Sequence, residues 1–470
     1  MLLSIKEYLP KWLKGIRWWP WRNEVEVNIL EVEELNEALF FKISSGLHRA
    51  YLPLVKVSEL PKDIPLDRAM VINGGKFVEA EYTPHYLHML WSAGFLEIKE
   101  YISLPIANSI VRAQPITLDS SNAVAIHTLS NGVNVVVKSY RKLPKVSIEP
   151  LILEALVTNG YKYVPRLYYI VKWGDDVITL VMEYVENLGD GGTPFYSDAV
   201  KYFNEGGRAS TIGLASQLGV EVSELHKTLI SVDKDFFKPE TITDFDLRKW
   251  EERVEKYAKS IYGSIEKIEI SNEWLKPWIE ALSNILPKAV DSFRESIDVY
   301  KDLVKARIHQ DLHLSQFLYS PGRGFILTDF EGEPVRSDEE KLYKEPCLRD
   351  LGTLIRSFHY LTTHIMISRL GLNKATVLFS KDPLKIWRHA HLRALIYSYL
   401  VNILPYVKNA VGLSKLELMS KISELIKPWI IEKALYEAAY ELLYRPHMLL
   451  IPIIGLLTFE DETMGLIHKP

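Results

Sequence analysis

The stretch that decides the fold runs from Arg307 to Arg336 and reads RIHQDLHLSQFLYSPGRGFILTDFEGEPVR. It gathers His309, Asp311, His313 and Gln316 into one short segment, turns at Ser320-Pro321-Gly322-Arg323-Gly324, and ends an apolar run on Asp329 and Glu331. Phosphoryl transfer needs these parts. One carboxylate orients and deprotonates a hydroxyl, and oxygen donors hold magnesium against the phosphates. Two polar clusters joined by a turn are a more specific signal than either cluster alone, and together they predict a small-molecule kinase.

Each residue then takes an expected role. Asp311 is the base, accepting the proton of an alcohol or hemiacetal hydroxyl. Gln316 and Asp329 are the magnesium ligands, one through its amide oxygen and one through its carboxylate. Glu331 shares a face with Asp329 if that segment is extended, and so reaches a second ion or substrate hydroxyls. His309 and His313 are expected to fix the loop by hydrogen bonds. Alternating His and Asp groups also suit zinc, but Gln316 and the distant Asp329–Glu331 pair favour an oxygen-rich magnesium site.

Upstream, Lys138 ends the strand-like run Val133-Asn-Val-Val-Val-Lys, where an ammonium can bridge donor phosphates. Glu149 and Glu154 compete as its carboxylate partner, and Glu154 is preferred because it lies inside the following helix. Asp119-Ser120-Ser121-Asn122 is rich in small donors and suits a phosphate-covering turn. Met182-Glu183-Tyr184-Val185 offers backbone groups for adenine by its order along the chain.

These segments imply an α+β chain in three parts. Residues 1–105 mix strand and helix patterns. The segment from Glu24 alternates polar and apolar side chains, and Val71 to Ala80 reads as a hairpin. Trp12, Trp18, Trp19 and Trp21 either form a sugar-stacking surface or pack this part onto its neighbour, the second being preferred. Residues 106–185 have hairpin character, with Leu129-Ser-Asn-Gly between two strands and one helix from Glu149 to Thr158. A glycine-rich segment, Val185 to Gly192, suits a hinge. Residues 186–470 carry long helical patterns over Thr211–Leu229, Leu247–Lys267, Trp274–Leu303, Asp350–Leu370, Pro383–Leu404 and Leu416–Leu443. Pro277 and Pro287 must begin, kink or divide the third.

Composition sets the outer limits. The 470 residues are 47% hydrophobic and 25% charged, with a net charge of -4, which is ordinary globular chemistry. No sustained basic field points to nucleic acid. The single cysteine, Cys347, excludes an intrachain disulfide framework and fits a reducing cytoplasmic setting. No secretory signal is expected from the first residues. The apolar run Met448 to Phe459 is too short to span a bilayer, so no membrane partner is expected. Oligomeric state is not readable from the chain.

The motifs together resemble the maltokinases, in the aminoglycoside-phosphotransferase-like branch of the protein-kinase fold, over nearly the whole chain. Asp119 to Asn122 is similar to that family's Glu-Gln-Ser-Asn phosphate segment, and Lys138 with Tyr140-Arg141 to its nucleotide lysine and sequel. Arg307 to Leu318 resembles the catalytic loop Arg-Ile-His-Gly-Asp-x-His-Leu-Gly-Gln, which implies Asp311 as base and Gln316 as a metal ligand. Asp329 to Pro334 resembles the metal motif, and Leu348-Arg349-Asp350 with Arg356-Ser357-Phe358 the block after it. Lys433 to Glu437, Tyr440-Glu441 and Arg445-Pro446 resemble the C-terminal segment that lines the sugar end of the cleft.

The resemblance implies a bilobal protein-kinase-like fold with an N-terminal α/β cap domain, a sheet-rich intermediate domain and a mainly helical C-terminal lobe. It implies ATP and Mg2+, with Ser120, Ser121, Asn122, Lys138, Glu149, Glu154, Glu183 and Val185 on the nucleotide side. On the substrate side it implies His309, Gln310, His313, Glu331, Arg349, Tyr436, Glu437 and Glu441. The expected reaction phosphorylates maltose at its anomeric hydroxyl; a related group phosphorylates glucosamine at its 6-hydroxyl. A third reading is a non-catalytic nucleotide- or sugar-binding relative.

Three positions depart from the pattern. Gln310 and Ser315 replace loop glycines, and Glu149-Pro150 stands for Asn-Pro. A glutamine at a positive backbone angle costs roughly 1 kcal/mol, which is expected either to displace Asp311 or to give the sugar a new contact.

Overall fold

The computed structural model describes residues 2–16, 18–19, 26–104, 109–118, 120–265, 276–371 and 382–465. Trp21, Asp119, the start of the strand expected from Glu24, and the facing ends of the helices expected to reach Lys267 and to begin at Trp274 lie outside them. The chain divides into two compact units, Met1–Val157 with Pro165–Val185, and Thr158–Val164 with Glu186–Pro470.

The first unit opens with α1 (Leu2–Gly15) and a five-stranded antiparallel sheet of order β1-β2-β3-β5-β4. Its strands are β1 (Asn28–Leu35), β2 (Ala38–Ser45), β3 (His48–Val57), β4 (Met70–Ile72) and β5 (Gly75–Glu79). After α2 (Tyr86–Ser92), a six-stranded sheet of order β6-β10-β11-β9-β8-β7 follows. It comprises β6 (Glu97–Glu100), β7 (Ile110–Thr117), β8 (Ala123–Leu129), β9 (Asn134–Ser139), β10 (Leu167–Trp173) and β11 (Asp176–Glu183), with α3 (Ile148–Thr158) in the connection after β9.

Apolar side chains of both sheets, including Phe40, Tyr51 and Val55 from the first and Ala125, Val137 and Trp173 from the second, form one continuous core. Trp12, Trp18 and Trp19 are buried, and Trp18 Nε1 donates to Glu79 (2.8 Å). Burial leaves these three rings no face for sugar stacking, so they are packing residues.

The second unit is helical around two small β-ribbons. Its helices are α4 (Thr193–Glu205), α5 (Ile212–Ser231), α6 (Asp244–Ile265), α7 (Lys276–Ile297), α8 (Asp338–Leu342), α9 (Cys347–Leu370), α10 (Lys385–Ile403), α11 (Val407–Ala410), α12 (Lys415–Tyr444) and α13 (Leu450–Gly465). The ribbons pair β12 (Glu240–Thr241) with β13 (Val304–Lys305), and β14 (Phe317–Ser320) with β15 (Gly324–Leu327).

Pro287 lies inside α7 without dividing it, and Pro428 inside α12. A capping box joins Ser414 and Glu417 at the start of α12, satisfying two of its end N–H groups. Among the described residues no helix is long and apolar enough to cross a membrane.

The boundary between the two units falls at Val185–Glu186, inside the segment Val185–Gly192 expected as a hinge, while the glycines that follow pack closely within the second unit. Gly191 N–H donates to Phe317 O (2.8 Å) and Tyr319 N–H to Gly189 O (2.9 Å), which pins this segment along β14. A Cβ on Gly191 would meet Leu314 O at 2.7 Å, so the residue is small to allow a close approach.

Candidate active site

The loop 307–316 is held almost atom by atom. Ala306 and Glu345 exchange two backbone hydrogen bonds of 2.9 Å. The Arg307 guanidinium donates to the carbonyls of Lys341, Leu342 and Tyr343. Asp350, near the start of α9, accepts the N–H of His309 at one oxygen (2.7 Å) and that of Gln310 at the other (2.9 Å).

Gln310 does sit at positive φ, +72°. Its side chain turns to Tyr343 O (2.7 Å), and its own carbonyl accepts from Arg349 (2.9 Å). Gln310 is 3% exposed, so the expected contact to a sugar is corrected to an internal anchor. His309 has the same fate. Its Nδ1 accepts the Asp311 N–H (3.3 Å), its Nε2 donates to Thr328 O (3.1 Å), and it fixes the loop instead of lining the cavity.

With its backbone fixed, Asp311 presents its carboxylate to a cavity of about 570 Å3. Lys433, from α12, donates to Oδ1 (2.9 Å). On the other oxygen lie the Gln316 amide (3.5 Å) and His313 Nε2 (3.7 Å). Burial alone would raise the Asp311 carboxyl, but the Lys433 charge and the His313 hydrogen bond hold it well below the usual carboxylate range. Lys433 also donates to Glu333 (2.9 Å), and these two carboxylates raise its ammonium against the effect of burial.

The β14–β15 ribbon delivers the second cluster. Gln316 O accepts both the N–H (2.8 Å) and the hydroxyl (2.9 Å) of Thr328, which ties the strand end to the loop. Asp329 follows at φ +62°, a left-handed conformation that aspartate tolerates better than most residues. Carboxylate oxygens of Asp329 and Glu331 lie within 4.8 Å of one another. Oxygen donors at that spacing fit a hard divalent cation such as magnesium. Glu331 is half-buried and does not line the cavity.

α12 builds one wall of the cavity. Lys433, Tyr436, Glu437, Tyr440 and Glu441 recur at three- and four-residue spacing and so share a face. Glu437 pairs with Arg356, and Glu441 accepts from Tyr360 (3.0 Å) and Arg445 (2.7 Å). Burial, only partly offset by Arg445, raises the Glu441 carboxyl. Asp190, His313, Gln316 and Ser357 add polar groups to the same cavity.

Arg349 belongs elsewhere. It is 1% exposed and donates to Glu432 (2.9 Å) and Glu333 (3.0 Å) as well as to Gln310 O. The expected substrate residue is thus a loop-holding residue, its donors already committed to internal carboxylates.

In the first unit Lys138 pairs with Glu149 (2.6 Å), which also accepts from the Tyr140 hydroxyl (2.6 Å). Glu154, the preferred partner, pairs with Lys99 instead. Glu149 shares the buried face of α3 with Ile152, Leu153 and Leu156, and Glu154 falls off that face. Asn122 Oδ1 accepts the Arg141 N–H (3.3 Å), and the Asn122 N–H donates to the Ser120 hydroxyl (3.3 Å), while Ser121 is exposed. Glu183 accepts from Arg166 and donates its own N–H to Arg166 O (2.9 Å), and Val185 is buried.

No family model matches the chain. A glucosamine kinase from Mycolicibacterium smegmatis is 26% identical over 253 residues, covering 52% of this chain and 58% of that protein. The chain therefore aligns with little more than half the length of this relative. A solved glucosamine kinase in complex with glucosamine, ADP and inorganic phosphate superposes with a TM-score of 0.68, at 16% identity, over 93% of this chain and 94% of that one. A crystal form of glucosamine kinase gives 0.67, at 16% identity, over 93% and 92%. The fold is kinase-like.

Within this kinase-like fold, three contributors to the site escaped the sequence reading of roles. Lys433 and Asp350 lay inside quoted motifs without an assigned part, and Glu333 was read only as part of the metal motif. All three are distant from, or off-pattern with, the residues they hold. Only the helical spacing of Lys433 with Tyr436 and Glu437 offered a signal.

Proposed function

We propose that the chain is an ATP-dependent sugar kinase. The observation that carries this reading is the buried Asp311 carboxylate at a polar cavity, one oxygen fixed by Lys433 and the other beside Gln316 and His313. An acceptor hydroxyl set against Oδ2 is oriented for attack on the terminal phosphorus of ATP. A new oxygen–phosphorus bond forms as the bond to ADP breaks, and the proton passes to Asp311. A carboxylate held below its usual range is a weak base. That suits a loose transition state, in which the hydroxyl needs orientation more than early deprotonation.

Gln316 and Asp329, with Glu331 nearby, would hold magnesium. The bound ion would neutralise charge on the donor phosphates. Lys138, paired with Glu149, is the candidate for those phosphates, with Ser120, Ser121 and Asn122 as covering donors and Glu183 to Val185 for adenine. In this reading residues 1–105 are a cap, 106–185 hold nucleotide, and 186–470 carry the catalytic and sugar residues.

The acceptor we favour is maltose, phosphorylated at the anomeric hydroxyl. The cavity volume falls within the roughly 300–1,000 Å3 of small-molecule sites. Tyr360, Tyr436 and Tyr440 offer ring faces, and Glu437 and Glu441 are each neutralised by an arginine, which suits an uncharged sugar. Glucosamine at its 6-hydroxyl is the second reading, supported by the names of the relatives above.

Magnesium-dependent ATP consumption across maltose, glucose, glucosamine, trehalose and aminoglycosides is the test. Turnover is expected with maltose and is expected to vanish in Asp311→Asn while ATP binding persists. Turnover of glucosamine alone selects the second reading. Silence with every sugar, or an active Asp311→Asn, removes the assignment.

A further inference from the structure

We propose that Lys433 is a positioning residue that fixes the Asp311 carboxylate and links its placement to occupancy of the acceptor cavity. This inference rests on the kinase reading for its catalytic consequence but on geometry alone for its structural content.

A lysine beside a catalytic carboxylate serves as a phosphate ligand where its ammonium has capacity left. The Lys433 ammonium donates to Asp311 Oδ1 (2.9 Å) and to Glu333 Oε1 (2.9 Å), and it lies 4.1 Å from the centre of the Tyr436 ring. An ammonium has three N–H groups and no acceptor. Two are committed to buried carboxylates, and the aromatic face takes up a further side of the charge. Lys433 is 5% exposed, Asp311 6% and Glu333 0%, so these contacts are largely withdrawn from water although Asp311 and Lys433 border the cavity. Nothing in this arrangement is organised to reach a phosphate.

Lys433 is itself fixed through Glu333. Glu333 Oε2 accepts from Arg336 (2.7 Å) and Arg349 (3.0 Å), and Arg349 also holds the carbonyl of Gln310, the residue before Asp311. Asp311 is therefore located from three directions. Asp350 fixes the preceding amides, Arg349 the preceding carbonyl, and Lys433 the carboxylate itself. Only the last acts on the reacting group's own torsions, leaving Oδ2 as the oxygen that meets an acceptor.

The backbone position of Lys433 ties it to the cavity wall. It lies on α12, one turn before Tyr436 and Glu437 and two before Tyr440 and Glu441, all of which line the cavity. A sugar seated on the Tyr436 ring presses on the same aromatic that flanks the Lys433 ammonium. An acceptor that fails to seat there is thus expected to lose rate more than affinity.

Lys433→Met alone would remove the cation between Asp311 and Glu333, so Lys433→Met/Glu333→Gln is the decisive variant because it leaves the net charge of the cluster unchanged. Crystal structures of wild type and this double variant decide the structural claim whether or not turnover is detected. The Asp311 carboxylate is expected to move by about 1 Å or to rotate, and an unmoved carboxylate overturns the proposal. A displacement of that size is expected to lower kcat about 100-fold with KM for ATP nearly constant. Lys433→Arg, which keeps the charge, is expected to recover part of that loss. A double variant that melts like wild type and turns over within threefold of it also overturns the proposal. Wild type that is silent with every sugar would instead remove the kinase reading.

Discussion

Glu221 offers the sharpest quantitative test of the second unit. It lies on α5 under the β14–β15 ribbon, fully buried, with Oε1 accepting from Gln217 (2.8 Å) and Oε2 from the Phe325 N–H (3.1 Å). Both donors are neutral amides. Burial pushes its carboxyl from 4.5 up to about 8, the two hydrogen bonds pulling back only in part. The folded state therefore keeps a proton that the unfolded chain releases above pH 4.5. Below that pH both forms are protonated and the group contributes nothing differential. As pH rises toward 8, stability falls, and above it the folded carboxylate is ionised and the loss is complete. At 1.36 kcal/mol per unit the loss is about 3 kcal/mol at pH 7 and about 5 kcal/mol above pH 8. Glu221→Gln removes the ionisation and keeps an acceptor for Phe325. Thermal melts at pH 5, 7 and 9 should show the variant gaining on wild type with pH and levelling off above 8. The amide's extra donor adds only a pH-independent offset, on top of which the pH-dependent gain must still appear. A difference that stays flat across pH, or one that runs in the opposite direction, refutes the reasoning.

Two further outcomes follow from the corrected contacts. Gln310→Gly relieves roughly 1 kcal/mol at its left-handed backbone, but it forfeits the bond to Tyr343 O, worth about 1 kcal/mol, and adds about 0.5–1 kcal/mol of unfolded-chain entropy. Chemical denaturation should find it less stable by up to about 1 kcal/mol, and a clear gain would show that the side chain anchors nothing. Glu149→Gln should weaken ATP binding about tenfold, near the ~1.4 kcal/mol lower end for a hydrogen bond to a charged group, whereas Glu154→Gln should leave it within twofold. Titration calorimetry checks both, and equal effects would break the assignment of Glu149 to Lys138.

What could be read from the chain was what is local. The loop 307–316, the turn at 320–324 and the strand end at Asp329 lie within thirty residues, so their order on the chain nearly dictates their order in space. The choice between Glu149 and Glu154 failed for a reason that was in fact local. It was argued from depth within the helix, whereas burial follows the face, and 149 shares the i, i+3, i+4, i+7 stripe with Ile152, Leu153 and Leu156. The close packing of Gly191 was not legible because a residue chosen for close approach and one chosen for freedom carry the same letter.

The charged residues around the loop were illegible for a deeper reason. Arg253, Arg336, Arg349 and Lys433 meet Glu333, Glu345, Glu432 and Asp311 in contacts as distant along the sequence as Lys433 with Asp311, 122 residues apart, and Arg253 with Glu432, farther still. Charges are almost never fully buried unless paired, so each of these, read alone, is most reasonably a solvated surface group. Four carboxylates and four cations balance here, and that balance is what lets them leave water together. A sequence reader sees the individual charges but not the sum. The same balance accounts for Arg349, which the resemblance placed on the substrate side and whose charge is taken up inside the cluster. Its partners are Glu345, four positions upstream, Glu432, 83 downstream, and Glu333, 16 upstream, and only the fold brings the last two to it.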